Sequence, residues 1–261
     1  MNAIKKSLIL TLIVLSSAVV FADTIPSQIG IFEHLDETIP SGLQFTNQDG
    51  KLVSLDSLID KPTVLVLVYY NCPGICSPLL DGVTDLVDES ELVAGIDYQV
   101  VTISFNWDEG WELARDKRKN YLSQLEREIN PDAWQWMVGD SASVMKLVDA
   151  VGFGFKKEDE DYVHAASLMM LSPERKITRY LYGLFFNPWD VKMAVIEASK
   201  GQSRPTINKV LDYCFSYDAE GKKYVFNITK IAATVILLTA LSLFLYLVFT
   251  RKKKISRHNK P

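Results

Sequence analysis

Residues 63–70 (TVLVLVYY) form an unbroken run of β-branched, apolar and aromatic side chains, with Pro62 before it and Asn71-Cys72-Pro73-Gly74 after it. A short apolar run closed by turn residues at both ends predicts a buried strand. Residues 98–105 (YQVVTISF) predict a second buried strand, and residues 134–138 a short third. Between these runs the pattern changes to a helical one. Residues 77–89 predict a helix, with Pro78 in the first turn, where a missing N–H costs nothing. Residues 108–128 carry Trp111, Ala114, Tyr121, Leu122 and Leu125 among many charges, the pattern of an amphipathic helix. Residues 141–150 predict another helix, which ends at Gly152.

Two further strands, 165–171 and 177–182, flank Ser172-Pro173-Glu174-Arg175, a β-turn with proline at its second position. Asn187 then caps a helix with Pro188 at its first position, and Gly201 closes it. Upstream, residues 43–45 and 51–53 read as a hairpin turning at Asp49-Gly50, followed by a short helical turn at 55–59. Residues 23–42, punctuated by Ile-Pro steps, predict an extended segment across the surface. The order β-α-β-α-β-α-β-β-α predicts an α/β sandwich over residues 43–215.

The two ends of the chain differ in kind from this domain. Lys5 and Lys6 precede an apolar stretch, residues 8–21, and Val20-Phe21-Ala22 offers a cleavage site, so residues 1–22 read as a signal peptide. Residues 231–249 contain no charge and precede Arg251-Lys252-Lys253-Lys254. About 20 apolar residues suffice to cross a bilayer, and basic residues mark its cytoplasmic side. The expectation is a juxtamembrane linker at 216–229, a transmembrane helix at 230–250 and a basic cytoplasmic tail at 251–261. The domain would then face the periplasm from a bacterial inner membrane.

The chain has 28 basic and 32 acidic residues, a net charge of −4. Two lysines lie in the leader and six basic residues in the tail, with no acid in either. Residues 23–250 therefore hold 20 basic and 32 acidic groups, net −12. Such a domain is a poor candidate for nucleic acid.

Cys72 and Cys76 sit where the first buried strand turns into a helix. The free N–H groups and the positive dipole at a helix start stabilise a thiolate, the form that attacks disulfides and binds metals. The three-residue gap places the two sulfurs on one side of a turn. The pair can close to a disulfide or present two soft sulfurs to one ion. The alternative is two cysteines that only pack in a core.

The combination resembles a thioredoxin-like fold and, more narrowly, the Sco/SenC family of copper-binding cytochrome oxidase assembly proteins. The residues that carry the resemblance are Gln48-Asp49-Gly50-Lys51, the Tyr69-Tyr70-Asn71-Cys72-Pro73 block and Thr102-Ile103-Ser104-Phe105. Trp136-Met137-Val138-Gly139-Asp140, Ala150-Val151-Gly152-Phe153, His164 and Arg179-Tyr180-Leu181-Tyr182-Gly183 complete it. It spans roughly residues 40–215. Family members often have Asp before the histidine and Ser after it, whereas Val163 and Ala165 stand here; Asp159, Glu160 and Asp161 are the nearest acids. Many members also carry an N-terminal anchor, and this chain places its anchor at the C-terminus.

The histidines narrow the ligand set. His258 lies in the basic tail and His34 in the segment leading to the domain. His164 stands at the start of the closing hairpin, whose end approaches the cysteine-bearing helix in thioredoxin-like folds. Two thiolates and one imidazole form a soft set that selects copper and is one ligand short of a structural zinc site. Cys72, Cys76 and His164 are thus the expected metal ligands, for one copper ion per chain. The resemblance implies delivery of copper to the dicopper centre of cytochrome c oxidase subunit II, reduction of its cysteines, or both, with another copper chaperone as a possible donor. The alternative is a thiol–disulfide oxidoreductase in which Cys72 attacks and Cys76 resolves. A peroxide-reducing enzyme is a weaker third reading, because nothing around Cys72 supplies the Arg or Thr it needs.

Other features read more simply. Met169 and Met170 lie in a strand with at least one facing the core, and Trp107, Trp111, Trp134 and Trp136 read as core and edge aromatics. The Asn227-Ile228-Thr229 sequon abuts the apolar span. Cys214 is the odd thiol, expected to be buried beside Tyr213 and Phe215, with an intermolecular disulfide as the alternative.

Overall fold

The computed structural model describes residues 29–159, 161–204, 215–218, 223–226, 232 and 236–244. Its centre is a seven-stranded sheet. In chain order, the strands are β2 (Gln44–Asn47), β3 (Leu52–Ser54), β4 (Thr63–Val68), β5 (Gln99–Ser104), β6 (Trp134–Val138), β9 (Ser167–Leu171) and β10 (Ile177–Tyr182). They lie side by side as β10-β9-β4-β5-β6-β2-β3. The pairs β4–β5 and β5–β6 are parallel, with Val66 beside Thr102 and Thr102 beside Trp136; β9 runs antiparallel to β4 with Leu168 beside Val66.

Every residue of β4, β5, β6 and β9 is buried. That is why these strands read as continuous apolar runs: layers on both sheet faces leave no side that needs polar residues. The helices are α1 (Leu55–Leu58), α2 (Cys76–Glu89), α3 (Trp111–Leu122), α4 (Ser141–Ala150) and α5 (Pro188–Ser199). Asp140 caps α4 by accepting from the Ser143 N–H, and Asn187 caps α5 by accepting from Trp189. The architecture is the expected α/β thioredoxin-like sandwich.

The helix expected over 108–128 is shorter, ending at Leu122. Beyond it, the backbone N–H groups of Glu126 and Arg127 donate to the Asp88 carboxylate at 3.1 and 2.9 Å, and this ties the segment to α2 instead of continuing the helix.

A second sheet escaped the sequence reading. It joins β1 (Gly30–Ile31), β7 (Phe153–Glu158) and β8 (Asp161–His164) in the order β1-β7-β8. Residues 29–42, part of the segment expected to lie extended over the surface, are stitched into the domain. Phe32 donates to the Gly152 carbonyl at 2.8 Å, Asp36 to Ile177 at 3.0 Å and Ile39 to Arg175 at 3.0 Å, and the Ile39 side chain is buried. Gly152 permits this approach: it has φ +61°, and a Cβ there would stand 1.8 Å from the Phe32 carbonyl oxygen.

The strands β11 (Phe215–Asp218) and β12 (Lys223–Phe226) form a separate antiparallel hairpin. The expected signal peptide, Cys214 and His258 lie outside the described residues. Of the expected span at 230–250, residues 236–244 are described, and they are helical with exposed side chains. No helix among the described residues is long and apolar enough to cross a membrane.

Candidate metal and dithiol site

The site forms where β4 runs out into Tyr69-Tyr70-Asn71 and the chain turns through Cys72-Pro73-Gly74-Ile75 into α2. Ile75 occupies the cap position of α2 and makes no side-chain cap bond. The Cys72 sulfur takes that role instead, accepting from the N–H of Gly74 at 3.3 Å and of Cys76 at 3.4 Å. An anion placed on the open N–H groups of a helix start is favoured by both hydrogen bonding and the dipole. Cys72 is half-buried, and Cys76, the first helical residue, is buried.

His164 completes the group from the end of β8, opposite Phe155 of β7, and not from the start of the closing hairpin. Its Nε2 lies 3.3 Å from the Cys76 sulfur. Its Nδ1 lies 3.0 Å from the Ala165 carbonyl oxygen, so Nδ1–H donates there and Nε2 is left bare toward the sulfurs. A backbone carbonyl thereby orients the ring, with Val163 standing at the position before it. Phe105, Phe153 and Tyr69 wall the imidazole, with ring centroids 5.0, 5.7 and 6.1 Å away. The ligand atoms of Cys72, Cys76 and His164 all lie within 4.8 Å of one another, close enough to hold one metal ion.

The two thiols are electrostatically unlike. The Cys76 thiol, by donating to Cys72, pulls the Cys72 pKa down to about 3 against its partial burial; the N–H groups of Cys76 and Gly74 add to this. Burial pushes Cys76 strongly up, and the neighbouring Cys72 charge adds to it. The resting pair is one thiolate and one thiol sharing a proton. The Tyr69 hydroxyl, itself pushed up by burial and then by Cys72, donates to the Asp161 carboxylate at 3.3 Å. A small concavity of about 100 Å³ opens over Cys72, bordered by Tyr69, Gly74, Asp161, Tyr162 and His164.

One contributor was not read from the sequence. Glu109, in the loop after β5, is buried, and its carboxylate accepts from the N–H of Tyr70 at 2.7 Å and of Asn71 at 2.8 Å, and from the Ser104 hydroxyl at 2.6 Å. A Glu in a polar Asn-Trp-Asp-Glu-Gly loop looks like any surface acid, so no local signal marks it.

The remaining candidates take structural places. His34 points Nδ1 at the Ala150 carbonyl, 3.0 Å away, and is not part of the cysteine group. Met169 and Met170 are both buried in β9, Trp134 and Trp136 are fully buried, and Trp107 is partly exposed.

Comparison with known proteins agrees with this geometry. The SCO1/SenC family matches residues 34–195. The SCO1 protein homolog of Bacillus subtilis (strain 168) is 31% identical over 154 residues, covering 56% of this chain and 75% of that protein. Among solved structures, a putative electron transfer protein from Aquifex aeolicus VF5 superposes with a TM-score of 0.58 at 24% identity, over 64% of this chain and 95% of the other. BsSco, a member of the Sco family, superposes with a TM-score of 0.51 at 24% identity, over 65% of this chain and 98% of the other. The structural likeness establishes the shared fold, and the family match takes in the cysteine turn, Glu109 and His164 together. The chain belongs to the SCO1/SenC family.

Proposed function

We propose that the protein is a copper-binding assembly factor for cytochrome c oxidase, in which Cys72, Cys76 and His164 hold one copper ion and pass it to the dicopper centre of subunit II. The observation that carries this reading is the convergence of two sulfurs and one bare imidazole nitrogen within 4.8 Å. Copper is the cargo, and the donor set suits it: two soft thiolates and an imidazole favour copper over hard cations. The half-buried Cys72 and the concavity above it leave one side open, as ligand exchange with a partner requires. BsSco belongs to the Sco family of cytochrome c oxidase assembly proteins, which supports the choice of partner.

A C-terminal membrane anchor is part of this reading. Ile236, Leu237, Leu238, Leu241, Leu243 and Phe244 are exposed on a helical stretch within the uncharged residues 231–249, an arrangement suited to lipid. The orientation follows from the basic tail and leaves the cysteines in the periplasm.

Dithiol chemistry is the second reading, and the split between a Cys72 thiolate and a Cys76 thiol favours it. That split is what a nucleophile with a resolving partner needs. BsSco carries a disulfide switch. Here Cys72 would attack a partner disulfide and Cys76 would release it.

A Cu(I) competition titration on the reduced full-length chain in detergent, beside His164→Ala, tests the first reading. One tightly held copper per chain, bound at least tenfold more weakly by the variant, is the expected result. Binding indifferent to His164 would leave the dithiol reading alone.

A further inference from the structure

We propose that the hydrogen bond between Tyr69 and Asp161 is a clasp that holds the His164 strand against the cysteine turn and so limits the size of what reaches Cys72. This rests on reading Cys72, Cys76 and His164 as the working site.

The two residues are placed alike. Tyr69 stands three positions before Cys72, and Asp161 three positions before His164. The Tyr69 hydroxyl donates to the Asp161 carboxylate at 3.3 Å, so one bond ties the segment carrying a sulfur to β8, the strand carrying the imidazole. Both residues border the concavity over Cys72.

The strand needs such a tie. In the order β1-β7-β8, β8 lies at the edge of its sheet, paired with β7 on one side only. Toward the site it is held by side chains: Asp161 by Tyr69, and the next residue, Tyr162, by a bond from its hydroxyl to Asn106 at 3.2 Å. The two ends of the clasp differ in freedom. Tyr69 is 4% exposed, and its ring packs against Phe105 and Tyr162 with centroids 5.5 and 5.2 Å away, which fixes the direction of its hydroxyl. Asp161 is exposed, and no Lys, Arg or His pairs with it among the described residues. The bond is long for its kind, which suits a contact that must open. At about 100 Å³ the closed concavity is well below the ~300 Å³ at which ligand sites begin, so a bulky group reaches Cys72 only when β8 moves aside.

The test compares two reagents of one chemistry and different size, iodoacetamide and its neutral pyrenyl derivative, on Cys72 of the reduced, metal-free, full-length protein in a Cys214→Ala background. Both alkylate the same thiolate, so the ratio of their rates cancels any change in ionisation and reports access. Tyr69→Phe removes only the hydroxyl, and Asp161→Leu keeps the bulk while removing the acceptor. Each should raise the pyrenyl-to-iodoacetamide ratio roughly fivefold, the shift in open population that one net hydrogen bond governs. The double variant should go no further than either alone, because both changes break one bond. Asp161→Asn retains an oxygen acceptor and should stay within about twofold of the parent. An unchanged ratio in Tyr69→Phe or Asp161→Leu, an additive double variant, or an Asp161→Asn that behaves like Asp161→Leu overturns the clasp. If one of the two single variants does not fold, the other decides alone: a raised ratio supports the clasp and an unchanged one overturns it. No copper enters the measurement, so a chain that fails to bind copper still reports on Tyr69 and Asp161.

Discussion

The Nε2 atom of His164 lies 3.3 Å from the sulfur of Cys76, although 88 positions separate them in the chain. Their meeting depends on the Ala165 carbonyl, which takes the Nδ1 proton and turns the bare nitrogen to the sulfur. The neutral ring should therefore be the Nδ1–H tautomer. Nitrogen-15 spectra of labelled protein should show Nε2 without its proton, both in the parent and in Cys76→Ala. An Nε2–H tautomer in the parent would contradict the arrangement.

Cys72 should react as a thiolate across the ordinary range of pH. With its pKa held near 3, the thiolate fraction is already complete at pH 5, so its alkylation rate by iodoacetamide should be flat from pH 5 to 8. An ordinary thiol would accelerate about tenfold per unit there. The sign of the linkage is fixed by the depression: the thiolate's contribution to stability is full above the unfolded thiol value and is lost as pH falls toward 3. Cys76→Ala removes the leading cause of the depression, and a rising rate between pH 5 and 8 is expected in that variant.

Gly82 of α2 lies against the loop after β10. A Cβ at this position would stand 1.9 Å from the Leu184 carbonyl oxygen and 3.4 Å from the Phe186 ring. Backbone cannot yield as a side-chain tip does. Gly82→Ala should cost about 2–3 kcal/mol in urea unfolding, despite the better helix propensity of alanine. A neutral or stabilising effect would mean that the loop moves freely away from α2.

Glu197 of α5 is buried and pairs with Arg179 of β10 at 3.1 Å and with Arg204 at 3.2 Å. Arg179 is itself largely buried. Glu197→Ala leaves that guanidinium without its partner and should destabilise the domain by about 3–5 kcal/mol. Arg204→Ala, which removes the exposed partner, should cost less than about 1 kcal/mol. Chemical denaturation of the two variants side by side checks the contrast.

The anchor can be tested by fractionation. The full chain should remain with membranes after alkaline carbonate washing, whereas a chain ending at residue 229 should be released. Release of the full chain would remove the C-terminal anchor from the proposed function.

What local sequence determined is what short-range physics controls. The buried strands β4, β5 and β6 announce themselves because strands covered on both faces need apolar residues throughout. Asn187-Pro188 announces a helix start because capping is a contact between near neighbours. The pairing of Cys72 and Cys76 was legible for the same reason, and His164 could be selected because the chain offers few histidines. The tertiary structure alone decided the rest. The strands β7 and β8 are short, largely polar toward their tip and stabilised by pairing with each other and with β1, so no local pattern distinguished them from a loop. It also decided that His164 belongs to β8 and takes its orientation from a backbone carbonyl. Glu109 shows the limit most plainly: its role consists of contacts to residues 38 and 39 positions away, and burial by distant chain turns an ordinary loop acid into the fastener of the cysteine turn.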